Sequence, residues 1–60
     1  MIKLEIRTLN AAFENDRNGE LARIFREIAY KLEYGRLDLS ESSVKLFDIN
    51  GNVVGRIEET

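Results

Sequence analysis

The sequence predicts a small α+β domain of order β-α-β-β: a three-stranded antiparallel sheet with one helix packed on one face. Three observations carry this expectation. At the N-terminus Ile2, Leu4 and Ile6 alternate with Lys3, Glu5 and Arg7, the period of two expected of a half-buried strand. From Glu20 the period becomes helical, with Leu21, Ile24, Phe25, Ile28, Ala29 and Leu32 forming one continuous apolar stripe. Near the C-terminus two β-type runs, Val44 to Phe47 and Val53 to Glu58, flank Asp48-Ile49-Asn50-Gly51-Asn52. Asn-Gly between such runs is a strong hairpin signal.

Each element follows from its residues. The first strand covers residues 2–8, with its charged face toward water. The next stretch contains Asn10-Ala11-Ala12-Phe13 and then Asn15-Asp16-Arg17-Asn18-Gly19. Asn and Asp side chains bond nearby backbone amides, so the second cluster marks a turn and a helix entrance. Asp16 is the N-cap candidate, with Asn15 and Asn18 as alternatives. Gly19 weakens a helix already begun at Arg17, which fixes the start only to within a few residues; the periodic part covers 20–34 and is ended by Gly35. At about 22 Å it matches a six- or seven-residue strand and fits across one sheet face. Arg23–Glu27 and Glu27–Lys31 are opposite-charge pairs one turn apart on a solvent flank. Arg36 to Ser43 is a connector with Leu37 and Leu39 as apolar tethers and Ser40-Glu41-Ser42-Ser43 as polar loop.

The hairpin admits two registers. A two-residue Asn50-Gly51 turn pairs Val44 with Ile57 and Phe47 with Val54. A type I turn from Asp48, with Gly51 in a bulge, shifts the pairing by one and regroups the faces. Gly55, inside the last strand, signals a bulge or the close approach of a neighbour. The last strand is expected in the centre, which makes the sheet antiparallel throughout. Two edges then stay open, each a place for self-pairing or for a partner's strand.

Composition narrows the function classes. The 60 residues form a single domain, 1–60, in which folding buries only about 60% of the chain's surface. There is no cysteine and no histidine, which removes disulfides, thiolate–zinc sites and the commonest general base near neutral pH. Small chains without such reinforcement rely on packing or self-association, so a homodimer is expected. Nine basic against eleven acidic residues leave a net charge of −2, no footprint of nucleic-acid binding. No apolar stretch is long enough to span a membrane. The alternating N-terminus lacks the apolar core of a secretory signal, so a cytoplasmic location is expected.

Several constellations invite a chemical reading. Asp48-x-Asn50-x-Asn52, with Glu59 at position twelve, resembles the opening of a calcium loop. Val53, however, stands where that loop needs glycine, and the flanks read as strands. A turn is the better reading: Asp48 opens it, Gly51 takes the positive φ and the asparagines bond backbone. The acidic pairs Glu14 with Asp16, Asp38 with Glu41, and Glu58 with Glu59 lie in polar stretches without the apolar pocket that raises a catalytic carboxyl. Ser40, Ser42 and Ser43 lack a histidine base. No cofactor motif, metal cluster or catalytic set is expected. Arg17, Arg23, Arg26 and Lys31 on the helix are interleaved with Glu20, Glu27 and Glu33, the pattern of a solvated face. Tyr30 and Tyr34, one turn apart at the stripe's edge, supply rigid area with a polar tip, as interfaces require or as the rim of a core does. Phe13 either clamps the helix entrance or stands exposed, and Phe47 faces the core or the outside according to register. Phe13, Tyr30, Tyr34 and Phe47 are therefore the candidate protein interface.

Taken from end to end, the chain resembles a group of small hypothetical proteins often encoded in bacteriophages and prophages. The matching residues are Ile6-Arg7-Thr8, Asn10-Ala11-Ala12-Phe13, Leu21-Ala22-Arg23-Ile24, Tyr34-Gly35 and Asp48-Ile49-Asn50-Gly51-Asn52-Val53-Val54-Gly55. Members often carry proline after the helix-capping acid, where Arg17 stands here. The resemblance implies an accessory protein of the bacterial cytoplasm and brings no activity or site residues with it. The expected function is that of a small interaction module binding itself, a host protein or a phage protein. The alternative is a nucleic-acid-associated regulator using the helix's basic residues.

Overall fold

A computed structural model describes residues 1–39 and 43–60. The strands are β1 (Ile2–Ile6), β2 (Val44–Phe47) and β3 (Val53–Glu59); the helix α1 runs Arg17–Glu33. The sheet is antiparallel with order β1-β3-β2, so the last strand is central as expected. A 3₁₀ turn, Ala11–Phe13, leads from β1 toward the helix.

The helix starts earlier than its apolar period suggests. Asp16 is the N-cap, and its carboxylate accepts the Gly19 N–H at 2.9 Å. That bond offsets the glycine's poor helix propensity, so the first turn forms from Arg17. At the other end Gly35 takes φ 67°. The Arg36 N–H reaches the Lys31 carbonyl at 2.7 Å and the Gly35 N–H the Leu32 carbonyl at 3.2 Å, the paired bonds of a Schellman cap.

The hairpin combines the two expected registers. Its stem follows the first, Val44 opposite Ile57 and Leu46 opposite Gly55; its tip follows the second, Phe47 opposite Val53. The Gly51 N–H closes the turn on the Asp48 carbonyl at 3.0 Å, and Gly51 has φ 84°. Val54 is the extra residue absorbed where the register shifts, and the local bend turns it inward, 1% exposed. Gly55 fulfils both expectations: it follows the bulge, and a β carbon on it would overlap the Glu5 carbonyl oxygen of β1.

The core consists of Phe13, Ile24, Ile28, Leu46, Val54 and Ile57, with Leu4, Ile6, Leu21, Leu37, Leu39 and Val44 packed around it. The helical stripe is only half used. Ile24 and Ile28 are buried, whereas Phe25, Ala29 and Leu32 are exposed. The exposed surface is 4542 Å², above the roughly 4,000 Å² that mass scaling gives, in keeping with an elongated shape of 34 × 20 × 19 Å. The expected loop residues Ser40, Glu41 and Ser42 lie outside the described residues.

Candidate functional site

The four aromatics picked from the sequence separate into three environments. Phe13, at the end of the 3₁₀ turn, is 3% exposed and belongs to the core. It clamps the helix entrance, and its burial removes it from the candidate interface. Tyr30 and Tyr34 both stand on the surface, about half and 62% exposed, with ring centroids 4.7 Å apart and planes tilted by 42°. Phe47 projects from the outer sheet face beside its partner Val53, both exposed. No ring contact joins Phe47 to the tyrosines among the described residues.

The helix carries two unlike flanks beside its buried line. Toward β2 lie Arg23, Glu27, Tyr30 and Tyr34; on the opposite side, toward β1, lie Leu21, Phe25, Ala29 and Leu32. Contacts from Arg23 to the hairpin fix this orientation. A shallow cleft opens between α1 and β2, lined by Ile24, Ile28, Leu37, Val44 and Leu46, with Lys31 and Lys45 at its rim. Its volume is about 20 Å³, room for one water and far below the several hundred Å³ of a small-molecule site.

A polar clasp holds the helix to the hairpin. Glu20 is 7% exposed and receives Arg23 Nε at 2.7 Å and Nη2 at 3.1 Å, with the Ile49 N–H at 2.9 Å. Arg23 Nη2 also donates to the Phe47 carbonyl at 3.0 Å, and Nη1 to Glu27 at 3.1 Å. The Arg23 hydrogen bond chiefly holds the Glu20 carboxyl below its ordinary range, with the Ile49 N–H helping and burial opposing. Arg23 is raised in turn, chiefly by its hydrogen bond with Glu20. The Arg23–Glu27 and Glu27–Lys31 pairs expected from spacing are both formed, the latter at 3.2 Å. Glu27 therefore interrupts the positive charge between Arg23 and Lys31. The legible signal for the clasp was Glu20-x-x-Arg23, which reads equally well as a solvated pair.

The hairpin loop is organised by Asp48, 4% exposed. Its carboxylate accepts the backbone N–H groups of Asn50 and Asn52, each at 2.9 Å, and Asn10 Nδ2 at 3.0 Å from the other end of the chain. The Asn10 hydrogen bond chiefly holds the Asp48 carboxyl below its ordinary range, with burial opposing and the Asn52 and Asn50 amides assisting. Asp48 thus opens the turn as expected, while the asparagines contribute mainly their backbone amides. Among the described residues no metal-ligating cluster forms, and Glu59 lies opposite Ile2 on the sheet. Glu14 and Asp16 are exposed, and Glu58 approaches Arg56 at 3.9 Å. On the outer sheet face both signs alternate: Arg56 also meets Glu5 at 3.6 Å. No helix among the described residues is long and apolar enough to cross a membrane. No family model, no curated protein and no solved structure matches the chain.

Proposed function

We propose that the protein is a small interaction module that acts by binding another protein, with the Tyr30–Tyr34 pair and the adjoining α1–β2 cleft as its contact surface. The observation that carries this reading is the tyrosine pair: two large rings in tilted contact one turn apart on the surface rather than folded against the core. Such rings offer rigid contact area at small entropic cost. The adjoining cleft suits a single apolar side chain; of the charged groups along it, Lys31 is paired with Glu27, and Lys45 favours a neighbouring polar or acidic group on the partner. The resemblance to phage-type proteins supports reading it as an accessory factor of a bacterial cytoplasm, directed at a host or phage protein.

The test compares the tagged chain with a Tyr30→Ser/Tyr34→Ser variant in pull-downs from bacterial lysate, with and without phage infection. A single protein retained near stoichiometrically by the native chain and lost by the variant supports the reading. Retention unchanged in the variant overturns this surface. Recovery of nucleic acid alone, released as salt rises, overturns the function.

A further inference from the structure

The two sheet edges are unlike. At β2 the strand has four residues, a bulge lies opposite it at Val54, and Arg23 caps the outward Phe47 carbonyl. These are the devices that protect an edge from strand addition. At β1 the strand is regular and has neither bulge nor proline.

The groups that β1 offers follow from its pairing. Met1 and Thr60 exchange both of their bonds, and the Arg7 N–H reaches the Val54 carbonyl at 2.7 Å. In an antiparallel ladder such pairs alternate. The odd residues of β1 therefore bond β3, and the N–H and C=O groups of Ile2, Leu4 and Ile6 point along the open edge. The same three side chains face the helix side; Lys3 and Glu5 face outward.

We propose that β1 pairs antiparallel with β1 of a second copy, Leu4 opposite Leu4, to make a continuous six-stranded sheet. Matching outward groups and keeping the core faces together require an even register sum, which leaves few choices. Centring on Lys3 places Lys3 against itself. Centring on Glu5 places Glu5 against itself and Lys3 against Arg7. Centring on Ile6 needs Thr8, which has left the strand. Centring on Leu4 uses all five strand residues and sets Lys3 of each copy opposite Glu5 of the other, two opposite-charge pairs on the outer face. On the inner face Ile2, half exposed in the single chain, meets the second copy's Ile6. The two-fold axis stands perpendicular to the sheet at Leu4, so both helices lie on one face with their apolar Phe25 and Leu32 flanks turned toward the seam. This surface is separate from the tyrosine pair, and either assignment stands without the other.

The test is a charge-swap set followed by equilibrium sedimentation of the full chain over a concentration series. Lys3→Glu alone and Glu5→Lys alone each put like charges opposite twice, and each should raise the dimer dissociation constant about ten-fold. Mixing the two variants restores both opposite-charge pairs and should give a heterodimer at least as tight as the native dimer. That recovery also shows that the single variants are folded. Hydrogen exchange on the native chain adds an independent readout: the Leu4 and Ile6 amides should gain protection with rising concentration. A monomer mass at every concentration up to the millimolar range would overturn the proposal. So would a dimer indifferent to the swaps whose Leu4 and Ile6 amides exchange freely at all concentrations.

Discussion

Replacing Gly55 by alanine tests whether backbone approach, rather than turn conformation, demands glycine in the central strand. A β carbon there would overlap the Glu5 carbonyl oxygen and lie 2.8 Å from the Glu5 carbonyl carbon and 3.0 Å from Ile6 Cα. All three are backbone atoms, so no side-chain rotation relieves the overlap. Either β1 moves away by more than ~1 Å, since nonbonded carbon and oxygen sit roughly 3.3 Å apart or more, or β3 twists. Moving β1 loosens the Arg7–Val54 hydrogen bond and the ladder bonds beside it, at about 1 kcal/mol each. It also loosens the inner-face packing of Ile6 and Leu46 on either side. Two or three such losses give about 2–4 kcal/mol, against a total of roughly 3–9 kcal/mol for a chain of this size. Urea unfolding followed by circular dichroism measures it directly. Gly19→Ala is the matched control: there the added carbon meets the Asp16 carboxylate, a side chain that can swing away. It gains about 1 kcal/mol of helix propensity and forfeits a cap bond of about 1 kcal/mol, for a net change near zero. A Gly55→Ala protein within 0.5 kcal/mol of the native chain would refute the close-approach argument.

Glu20→Ala strips the clasp of its acceptor for three donors and should lower stability by about 2 kcal/mol, whereas Glu27→Ala, at an exposed pair, should change the urea midpoint little. The Glu20 carboxyl is lowered by folding, so its contribution is complete above the ordinary glutamate value of about 4.3 and is lost as pH falls through the folded value. A plot of stability against pH should fall in acid, and less steeply in Glu20→Ala. Asn10→Asp puts a second carboxylate beside Asp48 where an amide now donates at 3.0 Å; destabilisation at neutral pH should shrink as pH drops toward about 4 and the two share a proton. Millimolar calcium should leave the melting temperature unchanged, because a cation at Asp48 must displace the amide donors already on its oxygens; an upward shift would restore the calcium reading.

Local chemistry was legible in the sequence wherever one residue type has one physical use. Asp16, Gly35, Gly51 and Gly55 each occupy the position their chemistry demands. Gly19 left the helix start open by a few residues; its N–H bond to the Asp16 carboxylate, which propensity alone does not show, settles it at Arg17. The apolar stripe misled for a geometric reason. Three strands span only about 10 Å between outer axes, about one helix diameter. A helix over the central strand therefore buries its underside, Ile24 and Ile28, and leaves Phe25 and Leu32 beside it. The clasp and the Asn10–Asp48 bond join residues 29 and 38 apart in sequence, and no local pattern announces such a partner. For the candidate surface, burial decided the matter: Phe13 had a core and a surface reading of equal standing, and the packing of the 3₁₀ turn selected the core.

The unequal treatment of the two edges traces back to the loop sequence. Asp48 draws the Asn50 and Asn52 amides onto one carboxylate, which fixes a turn whose register is one residue out of step with the stem. The chain reconciles the two by bulging at Val54. That bulge bends and twists the tip, and it leaves Phe47 with its carbonyl directed outward, where Arg23 reaches it. Arg23 is available there because Glu20, brought into the first helical turn by the Asp16 cap, holds its guanidinium against the hairpin. Turn chemistry and helix capping thus close the β2 edge together, although neither motif is near the other in sequence. β1 has no counterpart to this arrangement, and its regular ladder remains the edge at which another strand can be added without disturbing a bond already made.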